Sequence, residues 1–145
     1  MSIKYLLKKY LGSFEKRALK WKIPLFFSKF NFRWSCLISD DESFILTGGL
    51  NSETTVTRYN MNGFQMDLPT LLHGRMSHGC SQYVSDNGNK VNIVAGGWDG
   101  QTRLDSSEMS EQDSQWSLIS SLPQRLEFLS GLTLGNEVLM FGKEK

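Results

Sequence analysis

The segment "NIVAGGWDG", Asn92 to Gly100, sets the problem that the fold must solve. A short apolar run closes on two glycines and then presents Trp-Asp-Gly. Glycine in a strand costs about 0.5–1 kcal/mol relative to alanine, so the backbone is needed there more than the side chains. Close approach of a neighbouring chain, or a positive φ, is the expected reason.

The pattern recurs. "FILTGG" spans Phe44 to Gly49, and "VLMFGK" spans Val138 to Lys143. The first glycines of the three runs, Gly48, Gly96 and Gly142, recur at intervals near the 50-residue period of propeller blades. Short strands precede each run: "CLIS" before "DDES", "GCSQYV" before "SDNGNK", and "GLTL" before "GN". The linkers between them are turn sequences rich in Asp, Asn, Ser and Gly. After the first double glycine come "TTVTRY", the turn "NMNG", the strand "FQMD" and Leu68-Pro69. After the second come "LDSSEM", a polar turn, "QWSLI" and Leu122-Pro123. Each unit thus reads as four short antiparallel strands, the make-up of one propeller blade.

On these residues the chain resembles the kelch repeat family. The resemblance covers Trp34 to Gly142. It rests on the ordered set Gly48, Gly49, Tyr59 and Phe64 in the first unit, Gly96, Gly97 and Trp116 in the second, Gly142 in the third, and "GR..HG" at Gly74 to Gly79. Phe64 stands where the family usually has Trp. Trp34 is aligned with His78, and Met109 with the third-strand Tyr59. The resemblance implies an all-β fold, a partial kelch-type β-propeller of two full blades and half of a third. Known propellers close with four to eight blades. The chain alone is therefore expected to be marginally stable. It is expected either to belong to a longer chain that supplies the missing blades or to self-associate.

Composition divides the chain in two. Through residue 35 there are nine Lys and Arg against one acid, Glu15; the remainder holds seven basic and fourteen acidic residues. Residues 1–33 form a basic segment with Ile3, Leu6, Leu7, Tyr10, Leu11, Phe14 and Ala18 at helical spacing, which predicts an amphipathic helix ending before Pro24. Residues 34–142 form the repeat region, and 143–145 a tail. The acidic balance of the repeat region argues against nucleic acid as a partner. No apolar run approaches the roughly 18–20 residues of a membrane-spanning helix, and no secretory signal is recognisable. The two cysteines, Cys36 and Cys80, read as small buried hydrophobes, with no disulfide framework. A cytoplasmic location follows as the expectation.

Catalytic chemistry finds little support. His73 and His78 lie in one loop with no evident ligand partners, and structural hydrogen bonding is the better reading. "DNG" at Asp86 to Gly88 lacks the spaced carboxylates of a calcium loop. No catalytic residue, metal or cofactor is expected. Protein binding is the leading function, through one face built by the loops after each second strand and between blades. Arg75, Arg103 and Arg125 are candidates to pair with acidic groups, Trp98 to act as an aromatic anchor, and Asp99 to fix its loop. Arg75 has a second reading, as a brace between blades. Within that class the resemblance implies substrate recognition for a cullin-type ubiquitin ligase. The alternatives are an actin-associated scaffold, a propeller enzyme, or a nonfunctional fragment.

Overall fold

The computed structural model describes residues 33–39, 42–60, 62 and 64–142. The chain divides into two units, Met1–Phe30 and Asn31–Lys145, and all described residues belong to the second. The helix expected in the basic segment and the tail at 143–145 lie outside the described residues.

The described fold is all-β and antiparallel, with no helix. The first sheet comprises β1 (Cys36–Ser39), β2 (Ser43–Thr47), β3 (Val56–Asn60) and β4 (Gln65–Asp67), hydrogen-bonded in chain order. The second comprises β5 (Gly79–Val84), β6 (Lys90–Ala95), β7 (Ser107–Glu111) and β8 (Ser117–Ile119), in the same order. A hairpin follows, β9 (Ser130–Leu134) paired with β10 (Glu137–Phe141). Its two-residue turn has φ +62° at Gly135, where a hairpin turn of this length needs a left-handed residue.

The first strands stack. β1 lies against β5, and β5 lies against β9 and β10. The core fills the space between the two sheets: Ile38, Ile45 and Val56 of the first meet Cys80, Val94 and Trp116 of the second, with Leu71 from the connection. Period-two alternation explains the selection, since Cys36, Ile38, Ile45 and Thr47 share one face by strand pairing. Trp116 donates its indole N–H to the Pro69 carbonyl at 3.0 Å, tying the second sheet to the Leu-Pro link that leaves the first.

Strand pairing corrects the repeat register by one residue. Cys36 opposes Thr47, which precedes Gly48, as Gly79 opposes Ala95, which precedes Gly96. Trp34 is therefore equivalent to Ser77 and not to His78. By the same logic Val56 matches Ser107, so Ser110 and not Met109 takes the Tyr59 position. Phe64 also departs from expectation. Like Trp116 before β8, it stands one residue before the fourth strand instead of lying in it, but Phe64 is 64% exposed whereas Trp116 is buried.

The double glycines answer the opening question. Gly48, Gly49, Gly96 and Gly97 all have positive φ. A Cβ on Gly48 would collide with the Arg75 carbonyl, and one on Gly96 would meet the Leu126 carbonyl at 2.8 Å. These carbonyls belong to the chain entering the next unit. The amides behind them are used too: Gly49 N donates to Arg75 O at 3.0 Å, and Gly97 N to Leu126 O at 2.7 Å. The glycine pairs are among the points where one repeat is hydrogen-bonded to its successor.

The cysteines are not free hydrophobes. Cys36 on β1 and Cys80 on β5 form a disulfide across the two sheets. Their sequence separation of 44 residues is about one repeat, so equivalent ends of adjacent first strands come together. Spacing alone gave no such distance, and the disulfide overturns the expectation of two buried thiols.

Candidate functional site

Three non-glycine residues at equivalent repeat positions carry left-handed backbone: Trp34 (φ 65°), Ser77 (φ 53°) and Phe128 (φ 56°). Each stands two residues before a first strand. For a bulky residue this conformation is a genuine outlier and costs roughly 1–2 kcal/mol. The hydrogen-bond pattern explains why it persists. Ser77 N donates to Trp34 O at 2.8 Å, and Phe128 N donates to Ser77 O at 2.7 Å. Left-handed turns let each repeat hand its amide to the previous one. They also swing the side chains out of the stack. Trp34 remains 42% exposed and Phe128 63% exposed. The Arg33 guanidinium lies over the Trp34 ring at 4.8 Å from its centroid.

These residues border a groove of about 350 Å³ lined by Trp34, Met76, Ser77, Trp98, Arg103, Glu127 and Phe128. Trp98 is fixed in its wall by two mutual backbone bonds with Met76, at 2.8 and 2.9 Å. Asp99 then closes the loop: its carboxylate accepts from the amides of Thr102 at 2.6 Å and Gln101 at 2.7 Å. Those amide bonds, Thr102 first and Gln101 next, hold its carboxyl below the usual range. Asp99 is thus a loop-shaping residue that also stays exposed. A second cavity, about 480 Å³, opens beside the groove along the first strands, with Trp34, Ser77 and Phe128 common to both.

The predicted arginines separate into different roles. Arg103 is half-exposed at the groove and directs Nε and Nη2 to one Glu127 oxygen, at 3.1 and 3.0 Å. Arg125 is exposed and stands 4.0 Å from Asp105, the limit of an ion pair. Arg75 is corrected: it has no exposed surface and offers nothing to a partner. Its guanidinium donates to the carbonyls of Gly96 at 2.8 Å and Ser106 at 3.1 Å and pairs with Glu108 at 2.5 Å. Glu108 also accepts from the amides of Leu72 at 2.7 Å and His73 at 3.0 Å. Burial pulls the Arg75 pKa down, while the hydrogen bond and charge of Glu108 oppose that pull. With its carbonyl accepting from the Gly49 amide at 3.0 Å and its guanidinium held by the second sheet, Arg75 connects the two units.

His78 is likewise structural in its contacts. Its Nε2 lies 2.8 Å from the Thr47 hydroxyl in the first sheet. Burial foremost, and the Arg75 charge next, push its pKa down to about 3, so the ring is neutral at ordinary pH. The side-chain carboxylates and rings of the described residues gather no cluster of three metal-ligating groups. Among the described residues no helix is long and apolar enough to cross a membrane.

Of the predicted contact residues the structure brings Trp98 and Arg103 into one groove, with Asp99 shaping its loop, and leaves Arg125 exposed at 4.0 Å from Asp105. Sequence reasoning missed Trp34 and Phe128 as a pair. Their common signal, a large aromatic just before a first strand, is hidden by Ser77 at the middle position. In comparisons with known proteins, no family model matches the chain, and no curated protein is similar to it.

Proposed function

We propose that the chain is a non-catalytic protein-interaction module of kelch type, with its two sheets acting as propeller blades and the aromatic groove as its contact surface. Support for the blade reading comes from the four-stranded antiparallel units, the stacking of their first strands, and the double glycine that links each unit to the next. The observation that carries the binding reading is the repeated left-handed residue. The inter-unit hydrogen bonds need the left-handed backbone but not a large side chain, and glycine would hold that conformation at lower cost, so exposed aromatic rings at Trp34 and Phe128 add nothing to the joint itself. Strain of this sort is characteristic of functional surfaces. Exposed aromatic rings rimmed by Arg33 and Arg103 suit the anchor-and-rim pattern of protein interfaces. The narrower role, substrate recognition for a ubiquitin ligase, rests on the family resemblance. The Cys36–Cys80 bridge favours an oxidising surrounding over a reducing cytoplasm.

The reading is tested by comparing proteins recovered with the wild-type chain and with a Trp98→Ala/Phe128→Gly double variant. Selective loss of a stoichiometric partner, with thermal unfolding unchanged, is expected. A partner retained in full by the double variant overturns the groove as the contact surface.

A further inference from the structure

The joint between the first and second units is closed differently from the next one. By strand pairing, Cys36 on β1 corresponds to Gly79 on β5 and to Ser130 on β9, and Cys80 accordingly corresponds to Gly131. At the second joint the equivalent pair is therefore Gly79 and Gly131, and that joint closes without a covalent bond. A Cβ on Gly131 would collide with the Cys80 carbonyl, and one on Gly79 would meet the Leu129 Cβ at 2.9 Å. At the first joint the same two places carry the Cys36–Cys80 bridge. A joint of this fold can thus be packed on glycine alone. The bridge differs from the glycine pair in being a bond that chemistry can open.

The bridge also borders open space. Cys36 is half-buried and Cys80 buried, and both line the cavity of about 480 Å³ along the first strands. Trp34, Ser77 and Phe128 line this cavity and the aromatic groove alike. In sequence Cys36 follows Trp34 by two residues and Cys80 follows Ser77 by three. The 2.8 Å bond from the Ser77 amide to the Trp34 carbonyl therefore sits directly beside the bridge. Trp34 comes to the groove from the first unit, whereas Trp98 and Arg103 come from the second. The seat of β1 on β5 sets how firmly the Trp34 wall is held, and the bridge ties those two strands.

We propose that the Cys36–Cys80 bridge is a thiol-operated latch on the aromatic groove, opened in the folded chain by a small thiol of the glutathione class that enters the cavity. The thiolate attacks the sulfur of Cys36, the more exposed of the two residues, and the Cys80 thiolate leaves. A second glutathione thiolate attacks the glutathione sulfur of the mixed disulfide, and the Cys36 thiolate leaves. Two electrons pass from two glutathione thiols to the bridge, and their two protons end on Cys36 and Cys80. The products are two cysteine thiols and one oxidised glutathione. Opening frees β1 from β5 and loosens the Trp34–Ser77 joint. The consequence for binding rests on the groove being the contact surface; the chemistry of the latch does not.

The test follows reduction of the oxidised full chain by reduced glutathione in native buffer, with free thiols trapped by alkylation and read by mass, at several urea concentrations below the unfolding transition. The rate is expected to rise with glutathione and to stay constant with urea, because attack occurs in the folded chain. Amide hydrogen exchange by NMR then compares the oxidised and reduced chains. The Ser77 amide is expected to exchange at least about tenfold faster after reduction, while β6 and β7 amides keep their protection. A reduction rate that climbs with urea in step with unfolding overturns the proposal, since the bridge is then reached only in the unfolded chain. So does a Ser77 amide that exchanges equally in both forms. Loss of β6 and β7 protection on reduction also overturns it, by making the bridge a staple of the whole fold. None of these readouts uses a binding partner, so the latch and the groove as a contact surface stand or fall separately.

Discussion

The Ser77 amide donates to the Trp34 carbonyl at 2.8 Å, and both residues are left-handed. Ser77 in turn accepts from Phe128, the third member of the series. One backbone device, repeated at each unit, therefore joins the units and exposes two of the three side chains.

That device separates stability from binding at Phe128. Phe128→Gly removes an exposed ring and relieves a left-handed strain of roughly 1–2 kcal/mol, against a glycine entropy cost of about 0.5–1 kcal/mol. Stability equal to or slightly above wild type is expected in urea unfolding. A loss of more than about 2 kcal/mol, the scale of fully burying such a side chain, would mean that the ring is a core element.

The buried pair Arg75–Glu108 behaves differently. Arg75→Met leaves the Glu108 carboxylate buried with two amide donors and no cation, and a loss of about 3–5 kcal/mol is expected. Adding Glu108→Leu removes the stranded charge, although the Leu72 and His73 amides then lose their acceptor. The double variant is therefore expected to be less destabilised than the sum of the singles in a double-mutant cycle. Additive losses would deny the coupling.

The disulfide closes a loop of 44 residues. Loop-closure entropy assigns such a link about 4 kcal/mol. A Cys36→Ala/Cys80→Ala variant should unfold at correspondingly lower urea, and reduction of the wild type should produce a similar shift. A midpoint unmoved by either treatment would show that the stack is held without the bridge.

His78 makes stability fall in acid. In the unfolded chain the ring takes a proton near its usual 6.5, whereas in the fold it does so only at about 3. Between those values the unfolded state binds more protons, so stability is lost as the pH falls through that window. The slope from this one ring reaches at most about 1.4 kcal/mol per pH unit. His78→Gln should flatten the acid limb by that amount relative to wild type, leaving the carboxylate contribution. Equal slopes would place the ring in solvent.

The strands and glycine loops were legible because period-two alternation and positive φ select recognisable residue types. Gly48, Gly49, Gly96 and Gly97 announced themselves in this way. The contacts between units were not legible, because no local pattern encodes which first strands stack. Hence the Cys36–Cys80 bridge was missed and Arg75 was placed on the surface. An arginine side chain reads as surface until a buried carboxylate such as Glu108 is known to face it. Trp34 and Phe128 were hidden for a further reason: aromatic residues are poor markers of left-handed backbone, and only hydrogen bonding to the neighbouring unit forces it on them. The register slip at His78 had the same origin, since a single residue decides which side chain faces the groove.

The most direct measurement is site-specific photo-crosslinking in cells, with a photoreactive phenylalanine analogue at Phe128 and, as control, at Val84, an exposed position at the far end of β5. The groove as a contact surface predicts a discrete protein adduct from position 128 that disappears with Trp98→Ala and is absent from position 84. Equal adducts from both positions, or an adduct at 128 unaffected by Trp98→Ala, would contradict it.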